Sequence, residues 1–201
     1  FDSWVDRSPP ISDAALAEYT AQWLKQRGAA SSEGGQQAYS AETQTSQGIK
    51  TITPNSMQVE GLAKLAQVRS HGETKTLIVS ATGTGKTVLS ALDVQQFGAR
   101  RLLFVVHRLN IAKRALAEYQ KVFGQTRTMG IYSGSDRSGL AADFVFATIQ
   151  TLNTAAHLER FESTAFDYII IDESHHAGAA TYQRILNHFS PSFLLGMTAT
   201  P

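Results

Sequence analysis

Residues 76–98 read T-L-I-V-S-A-T-G-T-G-K-T-V-L-S-A-L-D-V-Q-Q-F-G, and this stretch decides the fold. A short run of aliphatic and β-branched residues, Thr76 to Ser80, passes into a loop with two glycines. A segment of helical length then runs from Gly85 to Gly98. Strand, glycine-rich loop and helix in that order bring backbone N–H groups and a helix N-terminus onto one anion. Gly83 and Gly85 let the backbone turn and come close without a Cβ in the way. The loop S-A-T-G-T-G-K-T, Ser80 to Thr87, therefore reads as a triphosphate cradle formed by Ala81, Thr82, Gly83, Thr84 and Gly85. Lys86 would reach the β- and γ-phosphates, and the Thr87 hydroxyl would hold Mg2+. Such loops usually begin with glycine, whereas Ser80 stands here.

Working outward, further apolar runs occur at Leu102 to His107, Phe144 to Thr148, Tyr168 to Asp172 and Phe193 to Met197. They are nearly continuous, as in strands buried on both faces. Helical candidates lie between them at Gln58 to Arg69, Asn110 to Phe123, Gln150 to Phe161 and Ala179 to Phe189. The alternation predicts an α/β fold, a mostly parallel sheet with helices on both faces. Ligands collect at the carboxyl ends of such strands, so chemistry is expected just after each run.

One run ends in acids. Phe166 to Glu173 reads F-D-Y-I-I-I-D-E, delivering Asp172 and Glu173 about 85 residues beyond Lys86. Hydrolysis of a phosphoanhydride needs one carboxylate to fix the metal and another group to orient water, and this pair suits both tasks. His175 and His176 follow, yet adjacent residues rarely aim at one ion and no cysteine or H-E-x-x-H pattern accompanies them. A catalytic zinc is not expected. His71, His157 and His188 read as surface or packing residues.

Composition bounds the rest. The 201 residues, 42% hydrophobic, suffice for one domain and an appendage, and no apolar run approaches the roughly 20 residues of a spanning helix. The start carries Asp2 and Asp6 rather than a secretion signal. The absence of cysteine excludes disulfides and thiolate metal sites and fits a reducing cytosol. With 18 basic and 17 acidic residues the net charge is +1, so charge alone does not announce a nucleic acid. Leu16, Tyr19 and Trp23 give an amphipathic helix over Ala14 to Arg27, and the polar text from Gly28 to Gly48 reads as a linker. A boundary is expected near Lys50, dividing an N-terminal segment, 1–50, from a domain over 51–201.

These motifs together resemble the first RecA-like domain of superfamily two helicases, in the DExH branch, over Thr51 to Pro201. The acidic motif reads D-E-S-H at Asp172 to His175, and A-T-G-T-G-K-T after alanine or serine is a common form of that family's loop. The resemblance implies ATP and Mg2+ as cofactors. I-T-P-N-S-M-Q is similar to the adenine-reading motif and makes Gln58 the base contact, although Asn55, Ser56 and Met57 replace its arginine-proline-aromatic pattern. F-V-V-H-R and F-A-T-I-Q-T-L resemble strand-binding motifs, implying His107, Arg108, Thr148, Gln150 and Thr151 as contacts to a DNA or RNA backbone, DNA favoured. The loop Tyr132 to Gly139 could add Ser133 and Arg137. G-M-T-A-T-P, Gly196 to Pro201, resembles the motif in which Thr198, Ala199 and Thr200 couple nucleotide state to strand binding, with His175 as intermediary.

The text H-H-A-G-A-A-x-Y-x-R-I-L followed by F-L-L-G-M-T-A-T-P points within that family to bacterial restriction-subunit-like and defence-associated helicases. Some of these carry an upstream nuclease domain, of which residues 1–27 would be the tail. The implied partner is a second RecA-like domain, whose arginines complete the hydrolytic site, so this piece by itself is expected to turn over slowly and not to unwind. Three other readings stand beside a motor: a P-loop kinase or small-molecule ATPase, a nucleotide-binding module without catalysis, and a restriction or defence nuclease using this motor as one part.

Overall fold

The structure, a computed structural model, describes residues 52–81, 83–173 and 180–199. The helix expected over Ala14 to Arg27, the linker, Thr82, His175, His176 and Thr200 lie outside the described residues.

Six parallel strands form one sheet: β1 (Lys75–Val79), β2 (Leu102–Val106), β3 (Met129–Tyr132), β4 (Phe144–Thr148), β5 (Tyr168–Asp172) and β6 (Phe193–Thr198), in the order β1-β6-β5-β2-β4-β3. Three helices, α1 (Ser56–Ser70), α2 (Lys86–Phe97) and α3 (Leu109–Phe123), cover one face. The other face carries α4 (Ile149–Leu152), α5 (Ala155–Leu158) and α6 (Ala180–His188).

Alternation within each strand divides the core. Leu102, Phe104 and Val106 of β2 join Val94 and Tyr119 in one layer, while Leu103 and Val105 join Ile149 and Ile185 in the other. The path of the chain explains the two layers. From β1 through β2 to β3 it moves outward across the sheet, and from β4 through β5 to β6 it returns in the gaps. Right-handed crossovers travelling in opposite directions put their helices on opposite faces.

Three expectations change. The helix expected from Gln150 to Phe161 is two short helices, α4 and α5, interrupted at Asn153 and Thr154, with Thr154 in extended conformation before α5. A strand absent from the sequence reading, β3, forms the edge beyond β4. Moreover, β1 is an edge strand with exposed ends, Val79 being 46% exposed, rather than a strand buried on both faces. The two edges differ. Against β3 lies a 3₁₀ turn, Ser138–Ala141, whose Ser138 hydroxyl accepts from the Ile131 N–H at 3.0 Å. A Cβ at Gly130 would meet the Ser138 backbone at 2.5 Å, so glycine is what lets the turn seal that edge.

An ion pair locks the amino end. Arg69, at the end of α1, makes a bidentate pair with the fully buried Asp93 of α2 at 2.7 and 2.8 Å, and the Tyr168 hydroxyl of β5 donates to the same carboxylate. The guanidinium also lies 5.1 Å from the Phe193 ring centroid. Replacing Arg69 with Ala strands a buried carboxylate and is expected to lower unfolding free energy by about 3–5 kcal/mol, measured by urea denaturation.

Candidate functional site

All six strands end on one edge, and their order sorts the sequence motifs along it. The glycine loop follows β1, Thr198 and Ala199 end β6, and Asp172 and Glu173 end β5. Beyond them His107 and Arg108 follow β2, Thr148 closes β4, and the Ser133 loop follows β3. Strand pairing sets Val79 opposite Thr198 and Asp172 opposite Met197. Only β6 separates β1 from β5, so with strands about 4.8 Å apart the loop and the acids lie on the order of 10 Å from each other.

The loop is built from its own hydroxyls and carbonyls. Gly83 and Gly85 adopt φ of 80° and 81°, a region closed to most side chains, and Gly85 caps α2 without any side-chain bond. The first N–H groups of α2 therefore face outward with no side-chain acceptor, and no acid occupies the first turn. Ser80, the residue in place of the usual glycine, shares a hydrogen bond with the Thr84 hydroxyl at 2.8 Å, and Thr84 donates to the Ala81 carbonyl at 2.8 Å. A glycine could not make that tie. Hydroxyls four residues apart, Ser80 and Thr84, were its visible signal in the sequence.

Lys86 turns back into the loop, its ammonium donating to the carbonyls of Ser80 at 2.6 Å and Ala81 at 2.8 Å. Behind the loop the Thr87 carbonyl accepts from Ser90, whose hydroxyl also meets Tyr119 of α3 at 2.9 Å inside the core. Gln58 joins the loop from α1. Its amide oxygen accepts from the Asn55 N–H at 3.0 Å in a capping box, and its amide nitrogen donates to the Gly85 carbonyl at 3.3 Å. One amide proton and one oxygen lone pair of Gln58 remain. Next to it, Met57 is half-exposed, at the mouth of a groove of about 310 Å³ between α1 and the outer edge of β1.

Asp172 is half-buried. Burial, then the adjacent Glu173 charge, pushes its carboxyl above the usual aspartate value; the Glu173 N–H, at 3.1 Å from Oδ1, and the Lys86 ammonium pull it back. The pull of the Lys86 charge on Asp172 agrees with the strand order, which leaves only β6 between loop and acids. Glu173 takes φ of 56°, the one positive φ among described residues other than glycine. Such conformations are uncommon outside glycine and cluster at functional sites.

The residues expected to touch a nucleic acid divide. His107, Arg108 and Gln150 are exposed at the carboxyl edge. Thr148 and Thr151 are buried, each 7% exposed, and their hydroxyls bond each other at 2.9 Å across the first turn of α4. In the loop after β3, Ser133 is buried and bonded to Asp136, whereas Arg137 is exposed.

Residues 51–201 match the sequence profile of the family described as type III restriction enzyme, res subunit. The IRC3 protein of Saccharomyces cerevisiae, named as an ATP-dependent helicase, is 34% identical over 132 residues, covering 59% of this chain and 18% of that protein. The Escherichia coli type I restriction enzyme EcoAI endonuclease subunit is 28% identical over 160 residues, covering 74% and 19%. This chain thus spans about a fifth of the length of either relative. Among solved structures, a nuclease-deletion mutant of the type ISP restriction-modification enzyme LlaGI with a DNA substrate mimic superposes with a TM-score of 0.59 at 18% identity, over 75% of this chain and 18% of that one. The Sulfolobus solfataricus SWI2/SNF2 ATPase core with double-stranded DNA gives 0.59 at 17% identity, over 75% and 33%. The two superpositions show that this chain shares the fold of those cores.

Because the fold raises the Asp172 pKa, its ionised form is disfavoured relative to the unfolded chain. The associated stability is full below the ordinary aspartate value and is lost as pH rises through the raised one. Asp172→Asn removes the penalty, so its urea midpoint at pH 7 is expected to equal or exceed that of the parent, with the gap closing as pH falls towards the ordinary aspartate value.

Proposed function

The chain belongs to the type III restriction enzyme res subunit family, and from that premise we propose that it is the ATP-binding half of a motor that hydrolyses Mg-ATP and moves along DNA. The observation that carries this reading is the convergence, across the single strand β6, of the uncapped N-terminus of α2 with Asp172 and Glu173.

Each part has a chemical task. The outward N–H groups of the loop and α2 bind phosphate oxygens, and Lys86 exchanges its bonds to the Ser80 and Ala81 carbonyls for the outer phosphates. Thr87 and Asp172 would hold Mg2+, which would supply charge neutralisation at the phosphates. A hydroxyl, one carboxylate and phosphate oxygens suffice for this ion, and among the described residues no denser cluster of acids and histidines occurs. Glu173 orients the attacking water and accepts its proton. The proton and lone pair left on Gln58 match the ring nitrogen and amino group of adenine, and the half-exposed Met57 can flank the base.

Beside this half of the edge, His107, Arg108 and Gln150 offer exposed donors for a phosphodiester backbone. Thr148 and Thr151 act there by fixing the turn that presents Gln150, or by releasing their mutual bond to phosphate. The LlaGI structure is a complex with a DNA substrate mimic and the SWI2/SNF2 core one with double-stranded DNA, which supports DNA as the track. Thr198 at the end of the intervening β6 and Ala199 after it, together with Thr200 and His175, carry the nucleotide state across. In the full-length protein a second RecA-like domain supplies the arginines that complete hydrolysis. The EcoAI relative is an endonuclease subunit, which supports a nuclease working with this motor.

Glu173→Gln separates a hydrolase from a binding module. The variant is expected to keep Mg-nucleotide affinity within about threefold while single-turnover ATP hydrolysis falls by about 10²–10⁴. Equal hydrolysis in parent and variant would remove Glu173 from the mechanism.

A further inference from the structure

Tyr182 carries the one buried hydroxyl among the described residues that has no hydrogen-bond partner. Its side chain is 2% exposed and packs in the apolar layer that contains Ile171, the residue before Asp172. A buried donor left unmade costs free energy, so such a group in a folded protein calls for an explanation.

Its place in the fold supplies one. Helix α6 is the crossover between the parallel strands β5 and β6 and so runs against their direction. The last turn of α6 and the residue after it lie at the amino edge, where the Phe189 ring packs edge-on against Phe166 at 5.4 Å and His188 Nε2 meets the Phe161 carbonyl at 2.8 Å. Tyr182, the third residue of α6, consequently sits at the opposite, carboxyl edge, level with the end of β5. Burial, and then the charges of Asp172 and Glu173, push the phenol above its ordinary pKa, as expected of a hydroxyl beside those acids.

We propose that Tyr182 is a positioning residue of the metal site: its hydroxyl donates to the Asp172 carboxylate when that carboxylate takes Mg2+, and so fixes which oxygen faces the ion. The inference rests on Asp172 as the acid on the metal side. One Asp172 oxygen already accepts the Glu173 N–H. A second donor from α6 locks the rotation that the first leaves free, as outer partners of metal-binding carboxylates do.

Tyr182→Phe deletes only the unbonded hydroxyl and keeps the packed ring, so it is expected to fold with an unchanged or higher urea midpoint. The decisive readout is binding of a fluorescent ADP analogue to the whole 201-residue chain across a Mg2+ titration, for the parent, Tyr182→Phe, Asp172→Asn and the double variant. Tyr182→Phe is expected to need about tenfold more Mg2+ for half-maximal enhancement, with Mg2+-free binding as in the parent. In the Asp172→Asn background the same substitution should add nothing. A Mg2+ curve for Tyr182→Phe that overlays the parent, or an equal shift in the Asp172→Asn background, overturns the role given to Tyr182 alone. If Asp172→Asn itself leaves Mg2+ dependence unchanged, the reading of the metal site falls and the inference goes with it.

Discussion

A carboxylate held half-buried, against its preference for water, two strands away from a helix end rich in unbonded N–H groups is the constraint on which the rest of this molecule depends. Neither group is comfortable alone. Asp172 bears a desolvation cost that the Glu173 amide and the Lys86 charge only partly offset, and the start of α2 lacks a side-chain cap and an acidic first turn. On the reading proposed above, a cation and a polyanion arriving together would answer both needs, and the sheet order, with β6 alone between β1 and β5, sets the two groups side by side.

The scaffold around that pairing is stiffened where the chemistry is not. At the amino edge Asp93 gathers Arg69, Tyr168 and, through Arg69, the Phe193 ring, tying α1, α2, β5 and β6 into one block. At the carboxyl edge the polar bonds are local, Lys86 to the Ser80 and Ala81 carbonyls and Thr148 to Thr151, and tie each loop to itself. Ser90 and Tyr119 lie midway, joining the P-loop helix to the helix that starts beside Arg108.

Much of this was legible in the chain because buried parallel strands and phosphate loops leave strong local signals. The runs Leu102 to Val106 and Phe144 to Thr148 are apolar throughout, as strands covered on both faces must be. The positions of Lys86, Thr87, Asp172 and Glu173 at the carboxyl edge were legible from the apolar runs that precede them. The failures have equally physical causes. Strand β3 is short and includes Gly130, required by the turn packed on it, so its composition does not look like a strand. Asn153 and Thr154 break a helix that its apolar periodicity alone would continue. Nothing next to Asp93 in the chain marks it as buried, because the arginine that neutralises it lies 24 positions away. Nor could the text distinguish Thr148 and Thr151 as donors facing outward from donors spent on each other.

The ammonium of Lys86 resting on two carbonyls of its own loop has one more consequence. Every phosphate oxygen it takes up replaces a contact instead of adding one, and every departure is met by a ready acceptor. Affinity would then be the difference between two similar states. In the motor proposed above, which must empty once per step, such a resting shape of the cradle would favour release.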